Sequence, residues 1–140
     1  MTLSSLTYDD IAICVNYICE EYELLGGDPK KVSTKMQYAI EDKEGWKVTD
    51  ESGTILGFAV VESFGVGSIL ITSLFVNRMY RIGEVTWLLF KKVLEVSSNK
   101  NIVYIPIHKD MIASKLCDNG IVDKQKAVEW VTKLEGRYGR

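Results

Sequence analysis

Apolar residues recur at helical spacing early in the chain and at strand spacing through its middle. Ile11, Cys14, Val15, Ile18, Tyr22 and Leu25 share one helical face, and Thr7 stands before Asp10 as an N-cap with an acid in the first turn. The spacing predicts a first helix, ended by Gly26, Gly27 and Asp28. Pro29 suits the first turn of a second helix whose inward residues are Val32, Met36, Ala39 and Ile40. The apolar lead at 3–6 reads as either an edge strand or a staple on the first helix. Residues 46–49 and 55–64 flank the turn cluster Asp50-Glu51-Ser52-Gly53-Thr54, which predicts an antiparallel hairpin. Gly65-Val66-Gly67 makes a second turn into the next strand.

The stretch from 68 to 95 organises the rest. It reads as a buried strand at 69–76, a polar turn at 77–84 with one glycine, and an amphipathic helix carrying Val85, Leu88, Leu89, Val93 and Val96. That helix has apolar residues on more than one side, so it should be largely covered. A strand feeding a helix through a tight turn leaves unpaired N–H groups at the helix start, and the helix dipole favours an anion there. The turn is a candidate phosphate site, and equally an ordinary part of any α/β domain. Ser97-Ser98-Asn99-Lys100-Asn101 breaks the helix, and 102–107 is a short β-branched strand, buried on both faces if central. Residues 108–119 read as a helix with Met111, Ile112 and Leu116 facing the core and Asn119-Gly120 as its C-cap. In the last piece, 121–138, residues 127–135 fit either a helix or a final strand.

Composition narrows the function classes. At 140 residues with 46% hydrophobic, the chain can bury one core and is expected to form a single domain spanning 1–140. Lys and Arg number 17 against 19 Asp and Glu, so no general attraction to nucleic acid or to an anionic membrane is expected. The longest apolar runs fall short of the ~20 residues a membrane span needs, and the first residues lack a basic segment followed by an apolar one. A cytoplasmic location is expected. Cys14, Cys19 and Cys117 form no Cys-x-x-Cys pair, and the first two lie about 140° apart around a helix, which predicts reduced thiols. His108 is the single histidine, so a zinc site would need it and every cysteine to converge, and no metal is expected.

The element order, with the loop Tyr80-Arg81-Ile82-Gly83-Glu84-Val85 and the pair Leu88-Leu89 behind it, resembles the GCN5-related N-acetyltransferases. The resemblance implies an α/β (α+β) fold with a mixed, largely antiparallel central sheet flanked by about four helices. It implies acetyl-CoA as cofactor, held by Leu74, Phe75 and Val76 on the central strand and by Arg81, Ile82, Gly83, Glu84 and Val85 at the turn. The family's loop pattern is Gln/Arg-x-x-Gly-x-Gly/Ala. Tyr80 stands in the first position with Arg81 beside it, and Val85 places a branched side chain at the last. The Glu84 carboxylate would repel pyrophosphate unless it turns outward. The tyrosine that in the family protonates the leaving thiolate corresponds to Leu116, which cannot give a proton.

Two residues are candidates for catalysis under this resemblance. Glu62, near the end of the second hairpin strand, is the candidate base, its alternative being an outward-facing strand residue. His108, with an ordinary pKa near neutrality, could stand in as the acid or simply face water at a strand end. Thr72 and Ser73 interrupt an apolar strand, where they could line an acceptor pocket or mark a strand distortion. Trp46, Trp87 and Trp130 read as core. A single histidine and no nucleophile elbow exclude a Ser-His-Asp hydrolase, and there is no Walker loop.

Two functions follow. One is an acyl-CoA-dependent N-acyltransferase that moves an acetyl group to an amine. The other is a catalytically silent scaffold that works by binding, similar to the small acetyltransferase-like proteins carried by some tailed phages, which would place it in a host-interacting or virion setting. The Gly136-Arg137-Tyr138-Gly139-Arg140 tail is expected to lie either against a partner, whether a second copy or another protein, or in a packed terminal strand.

Overall fold

The alternation of apolar residues along β3 divides the molecule into two packed faces. Phe58 and Val60 join one buried cluster while Ala59 and Val61 join another, because successive strand residues point to opposite sides of a sheet. The computed structural model of the chain describes residues 1–21, 28–77, 82–105 and 111–139. In order these form β1 (Thr2–Ser5), a 3-10 turn (Tyr8–Asp10), α1 (Ile11–Glu21), α2 (Pro29–Glu41), β2 (Gly45–Thr49), β3 (Ile55–Ser63) and β4 (Ser68–Val76). There follow α3 (Ile82–Ser97), β5 (Asn101–Tyr104), α4 (Met111–Leu116), β6 (Cys117–Asp118), β7 (Ile121–Val122) and α5 (Lys124–Tyr138).

The sheet runs β1-β2-β3-β4-β5-β7-β6, antiparallel except for the parallel pair β4 and β5. This is the mixed, largely antiparallel sheet expected. On one face α3 buries Val85, Leu89, Phe90 and Val93 completely. On the other, α1 and α2 bring Cys14, Met36 and Ala39 against Phe58 and Val60.

The early elements follow their local signals. Thr7 donates its backbone N–H (2.8 Å) and its hydroxyl (3.1 Å) to the Asp10 carboxylate, which starts the turn into α1. Asp28 accepts from the Lys30 N–H at 2.9 Å, with Pro29 at the first helical position. The lead segment is an edge strand after all, and Leu6 behind it is buried as well.

The second half departs from expectation in places. The strand predicted at 102–107 runs from Asn101 to Tyr104, Ile105 is 72% exposed, and 106–107 lie outside the described residues. Of the helix predicted at 108–119, residues 108–110 lie outside the described residues and Met111–Leu116 are helical, but Cys117–Asp118 form β6, and Asn119 (φ 52°) and Gly120 (φ 80°) make a hairpin turn between β6 and β7 and not a helix cap. Residues 127–135, which fit either a helix or a strand by sequence, are helical, within α5, and five α-helices flank the sheet among the described residues. Of the tail, residues 136–138 are helical and Gly139 caps the helix, so they form no terminal strand, and Arg140 lies outside the described residues. The helix runs back along α3, where the Trp87 indole N–H donates to the Val131 carbonyl at 3.1 Å. Phe90 meets Trp130 edge-on and Tyr138 tilts over Trp87 at 5.6 Å. The second apolar stripe of α3 is therefore covered by α5, which is why that helix is apolar on two sides.

Candidate active site

The site begins with an irregularity in β4. Val60 pairs with Ser73 but Val61 pairs with Ile71, so Thr72 is an extra residue in the ladder. A bulge of this kind bends its strand and increases the local twist. The Thr72 hydroxyl donates to the Val60 carbonyl at 3.0 Å, which satisfies its polar group and fixes the bulge. Thr72 is thus both the distortion and the local hydrogen bond that its polarity suggested.

The bulge coincides with a fork. β4 and β5 pair in parallel from Ser68 and Asn101 up to Ile71 and Tyr104, and there the pairing ends. Beyond it, 72–76 have β3 on one side and no strand on the other among the described residues. At roughly 3.3 Å per residue these five residues span about 16 Å of main chain with no described strand paired on that side. Leu74 and Val76 pack toward α3, and Phe75 packs the opposite way, stacked between Phe58 and Tyr17. Their side chains are committed to the core, so what these three residues can offer a ligand is backbone.

β4 leads through Asn77 toward the start of α3, whose first-turn N–H groups have no partner within the helix. Val85 does not obstruct that end. It is fully buried, with Cγ1 only 2.7 Å from where a Cβ on Gly57 would sit, so the side chain points into the sheet. Gly83 is exposed, and a Cβ there would lie 2.7 Å from the Tyr138 hydroxyl. Close approach of α5 is therefore one reason for a glycine at this position. Glu84 is partly exposed. Tyr80, Arg81 and His108 lie outside the described residues. Leu116 is buried in the core and gives no acid to the site.

A pocket of about 160 Å³ opens on the α2 side of the sheet, and it reaches the bulge. Lys35, Tyr38 and Asp42 line it from α2 and its end, Glu44 from the residue before β2, Glu62 from β3 and Thr72 from β4. Glu62 shares the face of Phe58 and Val60 and lines the pocket. The backbone of Glu44 is fixed at both ends: its N–H donates to the Ala39 carbonyl at 2.8 Å and its carbonyl accepts from the Val61 N–H at 3.0 Å. Burial, then the negative charge of Asp42, pushes the Glu44 carboxyl above its ordinary value; Glu62 adds to this and Lys100 partly offsets it.

Of the residues singled out in the sequence, Glu62 and Thr72 line this pocket; Lys35, Tyr38, Asp42 and Glu44, which also line it, were not singled out. In the sequence Glu41-Asp42-Lys43-Glu44 reads as a solvated turn, and only the register of β2 against β3 brings Glu44 beside Glu62. Among the described residues no three His, Cys, Asp or Glu side chains are grouped to hold a metal ion. Nor is any described helix long and apolar enough to cross a membrane.

No family sequence model and no curated protein matches the chain in sequence. Solved structures match it in fold. An N-acetyltransferase related to GCN5 from Kribbella flavida superposes with TM-score 0.66 at 17% identity, covering 82% of this chain and 33% of that one. A GNAT-family acetyltransferase from Staphylococcus aureus Mu50 gives TM-score 0.64 at 12% identity over 76% of this chain and 73% of that one. The N-acetylglutamate synthase of Neisseria gonorrhoeae, solved with coenzyme A and N-acetyl-glutamate, gives 0.61 at 14% identity over 74% of this chain and 24% of that one. The chain spans 36% and 33% of the length of two of the longer matching structures. It has the fold of the GCN5-related N-acetyltransferases. The neighbours give no support to a phage relationship.

Proposed function

We propose that this chain is an acyl-CoA-dependent N-acyltransferase that transfers an acetyl group to an amine. The observation that carries the reading is the meeting of two features at one residue. Thr72 lines the acidic pocket, and it is also the first residue of β4 beyond the end of its pairing with β5. A thioester lying along the open edge of β4 and an amine seated in the pocket would be brought together there.

The residues fit such a ligand in three respects. The open edge of Leu74, Phe75 and Val76 offers backbone donors and acceptors to an amide-bearing arm. The first turn of α3, through Ile82, Gly83, Glu84 and Val85, offers N–H groups and dipole to a pyrophosphate, with Arg81 preceding it. The Val85 side chain, which the sequence placed against the phosphate, is turned into the core. Acyl-CoA, when bound, supplies the activated acyl group. Everything else falls to the protein: Glu62 faces the acceptor amine, Thr72 fixes the bulge, and the fork holds the acyl donor apart from β5.

The reading is tested at Gly83. Because a Cβ there would meet the Tyr138 hydroxyl, the comparison is best made in a Tyr138→Ala background, where the space is free. Adding Gly83→Asp to that background places a carboxylate at the phosphate position and should weaken acetyl-CoA binding at least tenfold by equilibrium dialysis, with the thermal melt unchanged. Equal affinity in the two proteins would remove the site from the start of α3.

A further inference from the structure

We infer that Glu44 is the catalytic base, the group that takes the proton from the acceptor amine, and that the acceptor is a primary alkylammonium held beside it by Asp42 and Glu62. The inference rests on the transferase reading and assigns a residue within the same pocket. Its basis is placement. Glu44 comes from a residue whose N–H and C=O are tied to two elements, α2 through Ala39 and β3 through Val61. A base must be held to within a fraction of an ångström of its proton, and a backbone clamped on both sides does that better than an exposed helix end. Asp42 caps α2 and is exposed, and Glu62 lies where β3 runs out to the exposed Ser63.

The charges around Glu44 suit the role. Asp42 at the end of α2 and Glu62 on β3 face it with negative charge, Lys35 on α2 and Lys100 before β5 bring positive charge, and the Tyr38 phenol and Thr72 hydroxyl are neutral. An ammonium entering the pocket is attracted by all three carboxylates. Its proton then passes to Glu44, the carboxylate whose backbone is fixed between α2 and β3. The N–H bond breaks toward Glu44, the electron pair stays on nitrogen as the nucleophilic lone pair, and Glu44 becomes the neutral acid. The raised pKa of Glu44 brings it nearer to neutrality, which is where a general base works best.

The test uses the whole chain with carboxyl-labelled glutamate and butylammonium as the probe. In carbon NMR titrations the Glu44 carboxyl should titrate above its ordinary value, and the midpoint should fall in Glu62→Gln, where a negative neighbour is gone. Butylammonium should shift the Glu44 resonance and lower its midpoint as well. With saturating acetyl-CoA and a panel of primary alkylamines, Glu44→Gln should slow thiol release at least a hundredfold and leave acetyl-CoA affinity within twofold, while Glu44→Asp recovers part of the rate. A Glu44 resonance that neither butylammonium nor Glu62→Gln moves, or a Glu44→Gln rate within threefold of wild type, would overturn the assignment. Wild-type protein that binds no acetyl-CoA would instead overturn the transferase reading beneath it.

Discussion

Lys47 and Asp10 meet at 2.7 Å with little of either side chain exposed, and the pair ties the start of α1 to β2. Burial alone would raise the Asp10 carboxyl, but the Lys47 ammonium and the Thr7 N–H and hydroxyl together outweigh it and hold the group below its ordinary value. A carboxyl whose folded pKa is depressed contributes stability above its unfolded pKa and loses it as pH falls through the folded one. Lys47→Met should therefore cost about 2 kcal/mol at neutral pH, and the gap from wild type should close in strong acid, as read from urea melts at the two conditions. Glu44 has the opposite sign. Its raised pKa means that the ionised form is disfavoured by folding, so stability is lost as pH rises through the folded pKa. Glu44→Gln should melt higher than wild type at neutral pH and equally below the ordinary glutamate range. A residue that weakens the fold while improving the chemistry is what an active-site base should be. Cys14 is governed mainly by burial: its thiol is pushed up to about 12, with the Asp10 charge adding to the desolvation and Lys47 partly offsetting it, so it should resist alkylation until the protein unfolds.

At the scale of elements, the junction of β3, β4 and α3 sets the site. A Cβ on Gly57 would lie 2.7 Å from both the Phe75 carbonyl oxygen and Val85 Cγ1, so Gly57 lets β4 and α3 close on β3. Gly57→Ala should cost roughly 1–3 kcal/mol in a thermal or urea melt, and should weaken acetyl-CoA binding because β4 and α3 shift together. A variant with wild-type melting and affinity would show that the junction does not position the fork. Most elements were legible because their signals are local: the Thr7 and Asp28 caps, Pro29, the glycine turns at 53, 65 and 67, and the apolar run of β4. The failures were where one local signal has two uses. Asn119-Gly120 serves a helix end or a hairpin equally well, and only the pairing of Cys117 with Val122 decides for the hairpin. The ambiguity at 127–135 was settled by tertiary contact, since Trp87, Phe90 and Lys91 on α3 meet Val131, Trp130 and Glu135 at helical spacing.

For the whole molecule, the two faces of the sheet divide the work. One face carries α3 and, at its start, the end suited to an anion. The other carries α1 and α2, with a pocket whose carboxylates Asp42, Glu44 and Glu62 suit a cation. Thr72 lies where the β4–β5 pairing ends, is the bulge of β4, and lines the pocket. Of the proposed site, Glu62, Thr72 and the loop through Gly83 were legible as candidates because each stands out within a short stretch of sequence. Glu44 and Asp42 were not, because they reach the pocket through strand register and helix placement, which no local pattern encodes. The measurement that bears most directly on this arrangement is a calorimetric titration of the wild-type chain with acetyl-CoA, with free CoA as the comparison. A transferase should bind both in the micromolar range, about −8 kcal/mol. No detectable heat at millimolar ligand would contradict the proposed function and leave the fold as a scaffold for binding.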